Sequence, residues 1–517
     1  MTKNCKYIAL LAQTLEKRPV RSGFILGAIT VLGFAPSSVF LIPILTCALL
    51  FFLLHEETAK KIFLISFSFS FGLLIAGTSW IYVSLHDFGG MHPVLAIFAT
   101  ILLSATFALP PAIIQALLAK VVPSPHRRLL VILPIGLALS DWCRGWFLTG
   151  FPWLSIGYSQ IPISPLSNYA PVLGIYGVSL ACACCSGSLG YLFKYLATKE
   201  INPNWKVGLI MPTLILCLSI ALAPIKWTEK ISQKSTTVSL LQGNIAQNVK
   251  WTPEWLSKTM MIYLDMVRQE KTDLILLPET AIPLLSTNVP EWYWKALREH
   301  AQKNDSHILL GIPEKSEEGK FYNSVLHISS DKTNRYRKHH LVPFGDYFPM
   351  RSITSVLLNA LSMPMSNFSS GAANQKPFDL GKQILGVDIC YEDAFGEEII
   401  RQLPEATVLA NFTNDAWWGE SFGPQQHLQI AQARSIETGR ELLRVTNTGV
   451  TAVINHRGHI ITRLPQFSEN VLRAEIYGRK GITPYSQWGN LAFVLLSFII
   501  ILLSLKSRPY WSKTEKR

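Results

Sequence analysis

The sequence predicts a polytopic α-helical membrane domain, an α/β layered domain, and one more membrane helix at the C terminus. Apolar runs long enough to cross a bilayer recur through the first 225 residues, and a further run lies near the end. Between them, charged residues return and short β-rich runs alternate with helical patterns, which is typical of an α/β layered domain. The predicted boundaries are 1–225, 226–488 and 489–517.

The composition favours a membrane protein. Hydrophobic residues make up 49% of the 517 residues and charged residues only 16%, a balance unusual for a soluble domain. The formal net charge is +13, but the basic residues are scattered between apolar runs. We therefore interpret them as topology signals and contacts with anionic lipid, and expect no nucleic-acid partner.

About eight runs are candidate spans, since a spanning helix needs ~20 apolar residues. They lie near 22–36, 38–54, 62–82, 93–119, 129–148, 171–193, 207–225 and 489–505. The fourth run contains Pro110-Pro111, which a spanning helix tolerates as a kink. The competing interpretation of residues 1–36 is a cleaved signal peptide, although no clear small-residue cleavage site is present.

The distribution of lysine and arginine predicts the orientation. Basic residues cluster before the first span, after the second and fourth, between the sixth and seventh, and in the tail, whereas the loop 82–92 has none. Because basic loops stay in the cytoplasm, both termini are predicted to be cytoplasmic. Residues 226–488 then lie outside the cytoplasm, which means the periplasm if the cell is Gram-negative.

The middle segment has a regular alternation of elements. Its predicted strands are 236–245, 272–280, 307–314, 322–330, 382–390, 406–415, 441–458 and 471–476. Helical spacing follows Pro253 over 253–270 and recurs over 425–442. This order predicts sheets covered by helices.

The cysteines are unevenly distributed. Seven of the eight precede residue 226, and Cys390 is the only one in the middle segment, so that segment cannot form a disulfide within itself. Cys182, Cys184 and Cys185 are interpreted as small helix-packing residues, because their spacing matches no zinc pattern. No metal or organic cofactor is predicted.

Three predicted strand ends carry residues suited to covalent catalysis: Glu279, Lys338 and Cys390. Each also has an ordinary explanation, as a loop acid, a surface lysine or a core cysteine. Together they supply what a cysteine nucleophile needs, namely a base for the thiol proton and a cation for the developing oxyanion. From residue types alone, a cysteine–histidine pair remains the alternative.

The motifs around these residues resemble a known family. LLPET, YRKHHLVPFGDYFP and GVDICYEDAF resemble the active-site segments of the nitrilase (carbon–nitrogen hydrolase) superfamily, which implies an α-β-β-α sandwich and a Glu-Lys-Cys triad. Nearly the whole chain is similar to the apolipoprotein N-acyltransferase family of bacterial inner-membrane enzymes, including LTGFPWLSIGYSQ, LQGNIAQNVKW and NFTNDAWWGE.

The resemblance implies a role for each matching residue. Glu279 is expected to accept the proton, Lys338 to stabilise the oxyanion and Cys390 to be the nucleophile. Tyr391 and Glu392 are expected to support activity, Glu392 by orienting the lysine or the incoming amine.

Four further positions have less certain equivalents. Asp346 stands where the family usually carries glutamate, so its acid is expected one methylene away from the usual place. Trp251, Trp417 and Trp418 are candidates for contact with substrate, and core packing is the alternative for each.

The implied reaction moves a fatty acyl chain from a phospholipid, phosphatidylethanolamine being the usual donor, to Cys390. The α-amino group of a diacylglyceryl-modified N-terminal cysteine of a lipoprotein then takes the chain. Two apolar segments, 281–290 and 350–368, are expected to dip into the outer leaflet or cover an acyl pocket. Ordinary core packing is the alternative for both.

Two other function classes compete with this interpretation. A membrane-tethered amidase or nitrilase would share the triad but would not need about eight spans. A transporter or receptor would need charged or broken helices at the bilayer midplane, and few are present. Asp141 and Arg144, at one span end, fit either a structural pair or a lipid head-group contact.

Overall fold

The computed structural model describes residues 3–198, 205–329, 333–349 and 367–506. The chain forms two compact units. The first comprises Met1–Ser79, Phe98–Ile225 and Trp488–Arg517, and the second comprises Trp80–Ile97 and Lys226–Gln487.

The first unit is helical. Its main helices are Lys3–Lys17, Pro19–Thr30, Leu41–Leu54, Ala59–Gly77, Pro93–Val121 (from residue 98), Leu133–Arg144, Ala170–Thr198, Val207–Leu222 and Leu491–Lys506. Within the described ranges, three helical stretches are long and apolar enough to cross a membrane: Ala59–Gly77, Pro93–Val121 and Pro165–Ala197. Shorter apolar helices occupy Pro19–Gly33, Leu41–Leu54, Val207–Leu222 and Leu491–Leu505. Pro110 and Pro111 lie inside their helix, as expected.

Small residues bring these helices together. Gly27, in the helix Pro19–Thr30, leaves no room for a Cβ, which would overlap the backbone carbonyl of Phe69 in the helix Ala59–Gly77. Gly72 meets the backbone of Phe24 in the same way from the other side. Since lipid tails are as apolar as leucine, such backbone contact is a main source of helix association in a bilayer.

Asp141 and Arg144 form a structural pair within this unit. Both are 3% exposed, and Arg144 donates to Asp141 Oδ1 at 2.8 Å. Asp141 Oδ2 also accepts from the Ile156 amide (2.7 Å) and the Ser179 hydroxyl (2.8 Å), while Arg144 donates to the Trp153 carbonyl (2.9 Å). These bonds fix the loop that follows Arg144, and the alternative of a lipid head-group contact is wrong for so buried a pair.

The second unit is built on two six-stranded sheets and a two-stranded ribbon. The strands are β1 Thr228–Lys230, β2 Thr236–Gln242, β3 Leu274–Leu277, β4 His307–Lys315, β5 Phe321–Ile328, β6 Thr333–Arg337, β7 Phe378–Asp379, β8 Ile384–Ile389, β9 Val408–Thr413, β10 Glu441–Thr446, β11 Ala452–Ile454, β12 Ile460–Arg463, β13 Asn470–Ile476 and β14 Arg479–Gly481. One sheet has the order β13-β2-β3-β4-β5-β6 and the other β12-β11-β10-β9-β8-β7. In each, three neighbouring strands are parallel (β2, β3, β4 and β8, β9, β10), and β1 pairs with β14.

The two sheets pack face to face with helices outside. Leu274 and Leu276 of β3 point into a core shared with strands of the other sheet, whereas Ile275 and Leu277 face the layer of the helices Pro253–Gln269 and Glu291–Asn304. This alternation follows from the two-residue period of a strand. The helix Gly423–Thr438 covers the other sheet through residues such as Leu428. The predicted nitrilase-like sandwich is therefore confirmed.

Each predicted strand run contains a strand, but some boundaries differ. The helix predicted over 425–442 begins at Gly423 and ends at Thr438, because Gly439 takes a positive φ of 64° and Glu441 begins β10. For the segment 281–290, the alternative of core packing holds at Ala281, Ile282 and Val289, which are buried in the core. Of the other apolar segment, 350–368, residues 350–366 lie outside the described residues.

Candidate active site

Glu279 lies between the two sheets at the carboxyl end of β3. Its side chain is buried; Oε1 accepts from Asn323 Nδ2 on β5 (2.7 Å), and Oε2 accepts from the amide of Asn414 after β9 (2.9 Å). Gly311 of β4 lets this segment approach closely, since a Cβ there would lie 2.6 Å from Glu279 Cα. One donor from each sheet thus fixes the carboxylate.

Lys338 follows β6 and is almost completely buried. Its Nζ lies 2.7 Å from Asp346 Oδ2 and 3.7 Å from Glu279 Oε1. Burial lowers the pKa of Lys338, but Asp346, Glu279 and Cys390 outweigh it and raise the pKa above its ordinary value. The side chain is therefore an ammonium throughout the physiological pH range. The short Asp346 reaches it because the Val342 amide donates to Oδ2 (2.8 Å) and holds the PFGD turn.

Cys390 comes directly after β8, with φ of +56°. A non-glycine residue in this region carries ~1–3 kcal/mol of strain and is found where the surrounding structure enforces it, often at active sites. Burial first and the charge of Glu279 second raise the pKa of the Cys390 thiol well above its usual value, and Lys338 lowers it only in part. The resting group is a thiol, so its reaction as a nucleophile needs a base. Lys338 Nζ lies 3.7 Å from Glu279 Oε1, and the charges of both residues act on the pKa of the Cys390 thiol.

Glu392 is buried beneath this site. Oε1 accepts from the amides of the two residues after Lys338, at 2.6 and 3.1 Å, and Oε2 accepts from the Ile389 amide at 2.6 Å. The Tyr336 hydroxyl lies 3.1 Å from both oxygens. Burial raises the pKa of Glu392 to about 7, although the backbone donors oppose it. Its carboxylate thus joins the backbone after Lys338 to the strand that ends at Cys390.

The aromatic candidates occupy different surroundings. Tyr391 is buried against the rings of Phe395 and His340, with centroids 5.2 and 5.9 Å away. Trp251 is half-buried, and its indole nitrogen has no hydrogen-bond partner among the described residues. Within the described part of the chain, therefore, no hydrogen-bond acceptor accounts for the Trp251 N–H.

Trp417 and Trp418 pack against the segment Trp80–Ile97. The Trp417 carbonyl accepts from the Ser84 hydroxyl (2.8 Å), and the Trp418 ring lies 4.9 Å from that of Trp80. Trp418 also contacts the ring of His427 at 5.1 Å. The Trp418 ring thus packs within this unit, whereas the contact of Trp417 is made by its backbone carbonyl, and both residues are only half-buried.

Sequence reasoning missed several polar residues around the triad. Asn323 and Asn414 hold Glu279, and Asn411 Nδ2 donates to the Cys390 carbonyl (3.1 Å). Lys250 is buried, its Nζ lies 3.4 Å from the Glu279 carbonyl, and burial lowers its pKa to about 8. Three of these four residues lie in the motifs LQGNIAQNVKW and NFTNDAWWGE. The resemblance of these motifs to the family was the sequence signal that could have identified them.

Metal ligands are not gathered anywhere in the described part of the chain: no group of three or more His, Cys, Asp or Glu is arranged to hold an ion.

Family models match both units. Residues 237–480 match the model described as carbon-nitrogen hydrolase, and residues 26–188 match the model described as apolipoprotein N-acyltransferase N-terminal domain. The fold and the site thus define a carbon–nitrogen hydrolase unit joined to an N-terminal unit of the acyltransferase type.

Full-length relatives identify the family. Apolipoprotein N-acyltransferase of Nitrosomonas europaea is 44% identical, covering 94% of this chain and 96% of the relative. Those of Photobacterium profundum and Chromobacterium violaceum are 38% and 39% identical, covering 93% of this chain and 93% and 92% of theirs. Among solved structures, a carbon-nitrogen hydrolase from Helicobacter pylori G27 aligns with TM-score 0.36 and 17% identity over 52% of this chain and 99% of its own.

The chain belongs to the apolipoprotein N-acyltransferase family. This membership confirms the predicted resemblance and the assignment as an acyltransferase. It favours acyl transfer over the alternative of a membrane-tethered amidase.

Proposed function

We propose that the protein transfers a fatty acyl chain from a phospholipid, with phosphatidylethanolamine as donor, to the α-amino group of the N-terminal diacylglyceryl-cysteine of lipoproteins. This would be the last step of lipoprotein maturation. The observation that carries the proposal is the approach of Lys338 Nζ to within 3.7 Å of Glu279 Oε1 in a chain of this family, and the effect of both charges on the pKa of the Cys390 thiol supports it.

In the first half-reaction, the Cys390 sulfur attacks the ester carbonyl of the phospholipid while Glu279 takes the thiol proton. The raised pKa of Cys390 makes this transfer necessary. The Lys338 ammonium stabilises the tetrahedral oxyanion. The carbon–oxygen bond then breaks, Glu279 returns the proton to the glycerol oxygen, and lysophospholipid leaves a thioester on Cys390.

In the second half-reaction, the lipoprotein amine attacks the thioester and gives a proton to Glu279. The carbon–sulfur bond breaks, the proton returns to the sulfur, and an amide is released. A thioester reacts with amines more readily than an oxygen ester does. Water must be excluded, since it would turn the enzyme into a phospholipase.

We also propose the membrane arrangement that this chemistry needs. About eight helices cross the inner membrane, both termini are cytoplasmic, and the catalytic domain 226–488 faces the periplasm. The basic loops of the sequence support this orientation. Tyr391 and Glu392 support the triad, Asp346 neutralises Lys338, and Trp251 contacts lipid. Both substrates are then available at the bilayer surface.

The test is the mass of the purified full-length protein after incubation with phosphatidylethanolamine. We expect one acyl group on the Cys390 peptide, removable by neutral hydroxylamine, absent in Cys390→Ala and retained in Cys217→Ala, which removes an exposed cysteine elsewhere. Glu279→Gln should slow its formation by ~10²–10⁴-fold, the usual contribution of a general base. A diacylated N-terminal cysteine peptide should then discharge the adduct onto its amine. Folded protein that forms no adduct, or releases only free fatty acid, would contradict the proposal.

A further inference from the structure

A cluster of four buried, ionisable side chains lies under the nucleophile and has no part in the scheme above. It consists of Asp393, Asp415, His427 and Arg444, none more than 1% exposed. We call it the His427 cluster. Burying a charged side chain is unfavourable unless it is paired. A cluster of four buried ionisable side chains therefore needs an explanation.

The histidine is held on both sides by carboxylates. His427 Nε2 lies 2.9 Å from Asp393 Oδ1, and Nδ1 lies 2.9 Å from Asp415 Oδ1. Arg444 bridges the same two acids, with 2.9 Å to Asp415 Oδ2 and 3.4 Å to Asp393 Oδ2, and lies 2.8 Å from His427 Nδ1. Two acids and two bases therefore form a closed ring of contacts.

These contacts determine which imidazole nitrogen carries a hydrogen. Nε2 faces two acceptors, the carboxylate of Asp393 at 2.9 Å and the backbone carbonyl of Cys390 at 3.3 Å. Nε2 must therefore carry a hydrogen, whether Nδ1 donates to Asp415 or accepts from Arg444. The flanking acids also raise the pKa of His427 above its ordinary value, against the opposing effects of burial and Arg444.

This hydrogen is shared between the Asp393 carboxylate, at 2.9 Å, and the nucleophile's own carbonyl, at 3.3 Å. The Cys390 carbonyl receives two donors, His427 Nε2 and Asn411 Nδ2 at 3.1 Å, and the residue has the strained φ of +56°. Fixing this peptide restricts rotation about the Cys390 Cα, and with it the direction in which the sulfur points. A small misplacement of a reacting atom can cost ~100-fold in rate.

We infer that His427 is a positioning residue for acyl transfer: held by Asp393, Asp415 and Arg444, it clamps the Cys390 carbonyl and keeps the sulfur aimed at the acyl ester. The inference deepens the proposed function and rests on it. His427 does not touch the substrate and takes no proton from the thiol.

The experiment measures single-turnover acylation of full-length protein by phosphatidylethanolamine in detergent micelles, followed by intact mass. For His427→Ala we expect the maximal rate of acylation to fall ~10–100-fold while the half-saturating donor concentration stays within twofold, because positioning affects the reacting atoms and not donor binding. His427→Gln, whose amide can donate to the same carbonyl, should recover at least fivefold of the lost rate. Thermal unfolding of each variant reports folding.

The matched control is Glu437→Gln in the same helix. Glu437 forms a buried ion pair with Arg434 at 3.1 Å. This variant should lower the unfolding temperature but leave the acylation rate of folded protein unchanged.

Three results would overturn the inference: an unchanged rate in folded His427→Ala, an equal loss of rate in Glu437→Gln, or no recovery in His427→Gln. Absence of any adduct in the unaltered protein would contradict the proposed function itself, and so is distinguishable from these.

Discussion

Two carboxylates, at different distances, contact the buried ammonium of Lys338. Asp346 lies 2.7 Å from Lys338 Nζ and Glu279 3.7 Å. We infer a division of work, in which Asp346 neutralises the lysine and leaves Glu279 available for the thiol proton. Asp346 is one methylene shorter than the glutamate expected at this position from the sequence resemblance, and the PFGD turn brings it within hydrogen-bond distance of Lys338.

The pKa of Glu392 predicts a pH effect on stability. A carboxyl group with a folded pKa of about 7, raised from 4.5, binds its proton more tightly in the folded protein. Its stabilising contribution is complete below pH 4.5 and is lost as the pH rises through 7, a loss of ~3 kcal/mol. We expect the unfolding temperature of full-length protein to fall between pH 4.5 and 8 by more than that of Glu392→Gln.

The control for this measurement is Glu299→Gln, which changes an exposed glutamate. It should follow the pH dependence of the unaltered protein. Parallel curves for Glu392→Gln and the unaltered protein would show that Glu392 does not titrate in this range.

The sequence predicted Glu279, Lys338 and Cys390 as site residues, but not the residues that hydrogen-bond to them. Glu279 and Cys390 could be predicted because each directly follows an apolar run, a local signal. Asn323 and Asn414 come from strands of different sheets, and only the three-dimensional pairing brings them to one carboxylate. The backbone donors around Glu392 were likewise invisible, since residue types say nothing about which peptide a side chain will meet.

At the scale of elements, the site depends on the close approach of parallel strands β3 and β4. A Cβ on Gly311 would lie 2.6 Å from Glu279 Cα and 2.7 Å from the Thr280 amide, both well inside contact distance. Gly311→Ala must therefore push the turn that carries Glu279 away from β4. We expect acylation of Cys390 to fall at least tenfold, because the base moves relative to the thiol. The rate of adduct formation by intact mass checks this.

Gly319→Ala is the comparison for this prediction. Gly319, in the turn between β4 and β5, has φ of +80° and no atom within 4 Å of its missing Cβ. Alanine there should cost ~1 kcal/mol of stability through backbone strain without slowing acylation. Equal acylation rates for Gly311→Ala and unaltered protein would show that the turn tolerates the displacement.

The elements themselves were predictable where their patterns are long. The buried strands gave continuous apolar runs, and Pro253 marked a helix that the structure begins at that residue. The two-residue strand β7 and the partly exposed β12 give too few periodic residues to detect. The predicted helix 425–442 extends beyond the observed end at Thr438. The helical spacing of side chains continues past this residue, whereas the helix ends because Gly439 adopts a left-handed backbone conformation.

For the whole molecule, the units are not contiguous in sequence. The segment Trp80–Ile97, between two apolar helices, groups with the sandwich: the Trp80 indole donates to Gln426 Oε1 at 3.1 Å. Hydropathy divides a chain into consecutive blocks, so it assigned these residues to the first block. The loop 82–92 contains no lysine or arginine, and the proposed topology places this loop on the same side of the membrane as the catalytic domain.

That topology is testable by labelling with a thiol reagent that does not cross the inner membrane. Glu317→Cys, at an exposed turn of the sandwich, should be labelled in intact spheroplasts because the proposed topology places the domain in the periplasm. Lys60→Cys, exposed in the basic segment after the second predicted span, should be labelled only after lysis, since the proposed topology places that segment in the cytoplasm. Unaltered protein, with its native cysteines, gives the background. If Lys60→Cys is labelled in intact spheroplasts and Glu317→Cys is protected, the orientation is opposite to the one proposed. The catalytic domain would then lie outside the compartment in which lipoproteins are proposed to receive their third acyl chain.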